Sequence, residues 1–142
     1  MNCSATDQER ILFLLKDFCN QIGPKFERSA QLSLSRYELL YQLYLTDEMN
    51  QSTLQKSVNI DNAAVTRHLK QLEAQGMVAR RRNPSDHRET FVSLTKEGRE
   101  QIISCGTEKR SFTHHMFQDF SSEELYALTD MLTRIQQNIS KY

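Results

Sequence analysis

Apolar positions recur at helical spacing along most of this chain and alternate in two short stretches near its middle. Between residues 7 and 30, Ile11, Leu12, Leu14, Leu15, Phe18, Cys19 and Ile22 form a broad stripe on one side of a long helix. Ser35 with Glu38 has the spacing of a capping box for a second helix, whose Leu39, Leu40, Leu43 and Tyr44 point inward. Residues 51–58 predict a short helix with Leu54 and Val58 inward, and Asn59-Ile60 leaves room only for a tight turn. A fourth helix then starts at Asp61, whose carboxylate caps free amides, and stops at Gly76, which tolerates a left-handed turn; Val65, Leu69 and Leu72 form its apolar stripe. Residues 77–82 and 89–94 are β-prone and partly alternating, and residues 83–88, rich in turn formers, join them as a hairpin. Thr95 caps a helix running to about His115, and Ser121 with Glu124 boxes a last one bearing Leu125, Leu128, Leu132 and Ile135.

Two helices joined by a tight turn and followed at once by a hairpin predict a winged helix-turn-helix: a mainly α fold with a small β-hairpin wing (α+β) and further helices at both ends. A helix of this size fits a major groove, and an arginine at a hairpin tip fits the adjacent minor groove. The side of the fourth helix opposite its apolar stripe carries Asn62, Ala63, Thr66, Arg67 and Lys70, small, polar or basic, with no acid until Glu73. Arg88 sits at the hairpin tip. Net charge is zero, but residues 61–96 hold seven Lys/Arg against four Asp/Glu, and phosphate neutralisation needs only a local patch. Arg80, Arg81 and Arg82 fit two descriptions, phosphate contacts or a solvated strand face.

The segment DHRETFVSLTKEG, residues 86–98, resembles the wing signature of the MarR family of bacterial transcription regulators: Asp, one residue, Arg, an apolar strand ending in Leu-Thr, and Gly three residues later. AVTRHLKQLEAQGMVARR, residues 64–81, is similar to that family's recognition helix and first wing strand. Together they cover about a third of the chain, and its length and helix order extend the likeness. The resemblance implies that Asn62, Ala63, Ala64, Thr66 and Arg67 face the major groove, with Lys70 beside them, and that Arg88 enters the minor groove. Asp86 and His87 share that tip, and Asp86 is expected to pair with a wing arginine. It further implies repression, relieved by small aromatic or phenolic anions bound between the dimer helices and the winged lobe. Phe26, Arg36, Tyr37 and Tyr41 would line such a cleft, although tyrosines at this spacing also suit a core with wet hydroxyls.

The expected organisation is one domain over residues 1–142, with a DNA-binding lobe at 35–95 and dimerisation helices at 7–30 and 96–142. The end helices carry more apolar surface than the winged unit needs, and a second copy of the chain is the simplest cover. One recognition helix reads only a few base pairs; two, about 34 Å apart, read a pseudo-palindromic site. The partners expected are therefore double-stranded DNA, a second copy of the chain and a small-molecule effector, with no membrane. Of three cysteines, Cys3 lies in a frayed terminus, Cys19 is on the apolar stripe near Lys16 and is expected to be buried, and Cys105 completes an odd count. A redox-sensing regulator switched through Cys19 is one alternative, and a winged-helix module that docks on protein instead of DNA is another. No apolar stretch has membrane length and no leader pattern is evident, so a reduced, cytoplasmic location is expected. His68, His87, His114 and His115 have no metal-ligand spacing, and neither a P-loop nor a nucleophile elbow occurs, so an enzyme and a cofactor are not expected.

Overall fold

The computed structural model describes the backbone of residues 5–142 and the side chains of residues 6–106 and 111–142; Cys3 lies outside the described residues. The elements run α1 (Ala5–Ala30), α2 (Leu34–Tyr44), β1 (Met49–Asn50), α3 (Gln51–Ser57), α4 (Asn62–Ala74), β2 (Val78–Arg82), β3 (Thr90–Leu94), α5 (Lys96–Met116) and α6 (Ser122–Ser140). They form two compact units, residues 1–111 and 112–142.

In the first unit the three strands make an antiparallel sheet in the order β1-β3-β2. The wing is the β2-β3 hairpin, in register from Val78 opposite Leu94 to Arg82 opposite Thr90. β1 is a strand the sequence pattern did not predict; Met49 pairs with Val92 and Asn50 with Phe91. Asn50 serves twice, because its side chain also accepts the Ser52 amide at 2.8 Å and so caps α3. α2 and α3 pack on β3, and α4 packs on β2. Among the described residues the largest fully enclosed side chains are Leu39, Leu40 and Leu43 of α2, Leu54 of α3, Val65, Leu69 and Leu72 of α4, and Val92 of β3. Each such side chain contributes roughly 1.5–3 kcal/mol of transfer free energy, so α4 is held by the same core that holds the wing.

Two details of α2 depart from the sequence pattern. Its cap is Ser33, whose side-chain oxygen accepts the Arg36 amide at 3.2 Å, and Ser35 lies inside the helix. Both serines offer a hydroxyl, and burial of Leu32 sets the chain's entry so that Ser33 meets the free amides. Tyr44, expected inward, is exposed, with the Arg99 guanidinium over its ring at 5.3 Å. α1 is divided in character: Phe26 and Ala30 are buried, while Ile11, Leu12, Phe13, Leu14 and Phe18 are exposed. Pro24 lies inside the helix and has no N–H to donate to the carbonyl one turn earlier.

The second unit comprises the last residues of α5 and all of α6. α6 begins with the expected capping box: the Glu124 amide donates to Ser121 Oγ at 3.1 Å and the Ser121 amide to Glu124 Oε1 at 3.0 Å. Along it Leu125, Leu128 and Ile135 are half-buried, while Met131, Leu132 and Ile139 are exposed. Among the described residues no helix is long and apolar enough to cross a membrane.

Candidate nucleic-acid interface

α4 starts where its side chains dictate. The Ala64 amide donates to the Asp61 carboxylate at 3.3 Å, and the helix leaves through Gly76 at φ 76°, a conformation only glycine adopts without strain. With Val65, Leu69 and Leu72 pinned in the core, the opposite side is fixed outward: Asn62, Ala63, Thr66, Arg67 and Lys70 are exposed and Ala64 is half-buried at its edge. The Thr66 hydroxyl donates to the Asn62 carbonyl at 3.0 Å, so its methyl and oxygen are held in one orientation. Arg67 and Lys70 enter no ion pair among the described residues.

The wing arginines fall into two groups. Arg80 makes a forked pair with Glu73 of α4, at 3.2 Å and 3.0 Å. Arg81 makes another with Glu48, at 3.0 Å and 2.7 Å, and stacks over Phe91 at 4.8 Å. The arginine hydrogen bond holds each glutamate below the ordinary carboxylate range. Arg80 and Arg81 thus brace the wing, to α4 and to the loop before β1. Arg81, Arg82 and Arg88 are exposed; Arg81 is held by Glu48 and Arg88 by Asp86 of its own turn, and Arg82 enters no ion pair among the described residues.

At the tip the turn is built by polar side chains. Asn83 Oδ1 accepts the Ser85 amide at 2.9 Å, and its Nδ2 donates to Glu89 at 2.8 Å. Asp86 accepts both the amide of Arg88, at 3.1 Å, and its guanidinium, at 3.2 Å. Arg88 is therefore aimed, although its side chain remains 92% exposed. His87 is exposed beside it.

A junction at the base of the wing explains the rest of the Leu-Thr-x-x-Gly pattern. Thr95 Oγ1 donates to the Gly76 carbonyl at 2.5 Å and accepts the Gly98 amide at 3.0 Å, which caps α5 as expected, while the Thr95 amide donates to the Met77 carbonyl at 3.1 Å. A Cβ on Gly98 would lie 2.0 Å from that same Met77 oxygen. The end of α4, both wing strands and the start of α5 thus meet at one point.

The residues expected to line an effector cleft are only partly gathered. A cleft of about 200 Å³ is lined by Tyr37, Tyr41, Tyr44, Ile102, Ile103 and Gly106. Tyr37 and Tyr41 stack with ring centroids 6.0 Å apart. Phe26, only 2% exposed, lies beneath Tyr37, edge to face at 5.4 Å, and does not reach the cleft. Arg36 is directed elsewhere, to His68 and Gln71 of α4. Ile102 and Ile103 were not anticipated, since they come from a helix more than fifty residues away along the chain, and Tyr44, on α2 itself, was expected in the core. Cys19, expected to be buried, is exposed, and Cys105 is the buried thiol. Among the described residues no cluster of His, Cys, Asp or Glu suits a metal ion.

Residues 32–90 match the model of the MarR family. An HTH-type transcriptional regulator of Bacillus subtilis strain 168, YdgJ, is 51% identical over 135 residues, which is 95% of this chain and 82% of the relative. The chain belongs to the MarR family. Its backbone is similar to that of a mutant MarR from E. coli complexed with operator DNA, with a TM-score of 0.79 at 20% identity over 93% of this chain and 98% of the other. It is equally similar to Bordetella bronchiseptica BpsR, whose DNA binding is regulated by 6-hydroxynicotinic acid, with a TM-score of 0.79 at 21% identity over 87% and 91% of the two chains. This MarR-family protein is a DNA-binding transcriptional regulator.

Proposed function

We propose that this regulator is a homodimeric repressor of a pseudo-palindromic operator, with α4 in successive major grooves and the wing tips in the flanking minor grooves. The observation that carries the reading is an exposed face of α4 with no acid before Glu73, on which Arg67 and Lys70 enter no ion pair among the described residues, joined to a hairpin whose Arg88 is exposed yet oriented by Asp86. Asn62, Ala63, Ala64, Thr66, Arg67 and Lys70 are assigned to the major groove, and Asp86, His87 and Arg88 to the minor-groove end. The exposed apolar positions of α1 and α6 support a second copy as their cover. The cleft at Tyr37 and Tyr41 supports control by a small aromatic anion, and such a ligand acts only through unequal affinity for two arrangements of the dimer. A structurally similar protein, BpsR, is regulated by a compound of that chemistry.

The test is direct. Genomic fragments retained by the purified protein supply the operator, and affinity is then read against salt and sequence. Arg67→Ala and Arg88→Ala should each weaken operator binding about tenfold or more, with the dimer intact. Binding should also fall steeply as salt rises. Parent-like, salt-insensitive binding by both variants would assign the contact to other residues and remove the reading.

A further inference from the structure

Arg36 stands on the first turn of α2 and reaches across to α4, where Nε donates to His68 Nδ1 at 3.3 Å and Nη2 donates to Gln71 Oε1. His68 and Gln71 are three residues apart, hence neighbours on one flank of the helix, between its buried stripe and its exposed basic face. The core contacts of α4 are all apolar and non-directional, through Val65, Leu69 and Leu72. They resist withdrawal of the helix but tolerate a few degrees of rotation about its axis. Near the end of α4 the Arg80–Glu73 fork restrains one flank, and on the other flank the planar guanidinium of Arg36, gripping two acceptors, completes the restraint.

We propose that Arg36 is a positioning residue for operator reading: its forked grip on His68 and Gln71 fixes the rotation of α4, and with it the aim of Thr66 and Arg67, and the grip requires a neutral imidazole. The inference rests on the assignment of α4 as the reading helix. Its chemistry is explicit, because Nδ1 can accept from Arg36 only through its lone pair; a protonated imidazole presents N–H to N–H and cation to cation. The charges acting on His68 are Arg36 from α2 and Arg67 from its own helix. Partial burial first, and those two charges next, favour the neutral ring, holding His68 below its usual value. The grip is therefore complete at neutral pH and is lost as pH falls below the ordinary histidine range.

The measurement is the ratio of operator to random-duplex affinity, read for the full chain at about pH 7.5 and about pH 5, a span that ends below ordinary histidine titration, as the lowered value of His68 requires. The ratio is the readout because added positive charge anywhere on the surface favours both duplexes alike. Acidification should lower the parent's ratio about tenfold. Arg36→Met should start with the lowered ratio and stay flat with pH. His68→Asn, which places an amide oxygen near Nδ1 and does not titrate, should keep the high ratio at both values. Should Arg36→Met fail to fold by circular dichroism, the flat profile of His68→Asn against the falling profile of the parent still decides. An Arg36→Met ratio equal to the parent's, or a parental ratio indifferent to pH, overturns the proposal. If Arg67→Ala also binds the operator as the parent does, the fault lies in the assignment of α4 itself.

Discussion

Gly98 has no space for a methyl group: its missing Cβ would sit 2.0 Å from the Met77 carbonyl oxygen, an atom already receiving the Thr95 amide. The backbone of either β2 or α5 must move to admit one. Gly98→Ala should therefore lower stability by about 1–3 kcal/mol, the usual cost of overpacking, seen as an earlier urea midpoint. It should also weaken operator binding more than lost stability explains, because the wing base moves with it. Asp86 acts at the same scale with a different result. It contributes no cation yet holds Arg88 by two hydrogen bonds, so an arginine that is 92% exposed keeps a defined direction before DNA arrives.

Among the elements, the wing divides its cations by task. Arg80 and Arg81 are paired with Glu73 and Glu48 on other elements, whereas Arg88 is held only by Asp86 of its own turn and Arg82 enters no ion pair among the described residues. Arg88→Gln should reduce the slope of log affinity against log salt by about one, the release of one counterion per phosphate contact. Arg80→Gln should leave that slope unchanged within error. The elements themselves were largely legible before any coordinates. Asp61, Gly76 and the Val65, Leu69, Leu72 stripe determine α4 locally, and residues 83–88 determine the hairpin turn through their own hydrogen bonds. β1 was not legible, because two residues carry no alternation and their partner strand lies about forty residues on. The same distance hid the target of Arg36, whose contacts span 32 and 35 residues. It hid the far wall of the Tyr37 cleft too, while exposure of Cys19 depends on which part of a long stripe is covered.

For the molecule as a whole, the winged unit has a closed apolar core, and the unsatisfied surface lies on the end helices. Ile11, Leu12, Phe13, Leu14 and Phe18 on α1, and Met131, Leu132 and Ile139 on α6, are exposed. Large apolar side chains left exposed in such number along a helix mark an association site. Leu12→Asp together with Phe18→Asp should convert the protein to lone subunits by light scattering and abolish preference for the operator, while weak binding to any duplex through α4 and the wing persists. An unchanged mass for that double variant would place the interface elsewhere.

Pro24 gives α1 a built-in seam. The missing N–H leaves the ladder one rung short at the border between a half anchored by Phe26 and Ala30 and a half whose apolar residues face outward. Melting of the front half need not propagate into the anchored half. In the dimer proposed above, with two copies clasped through α1, the clasp would loosen and reform while both winged lobes stay folded, and subunits would then exchange without denaturing.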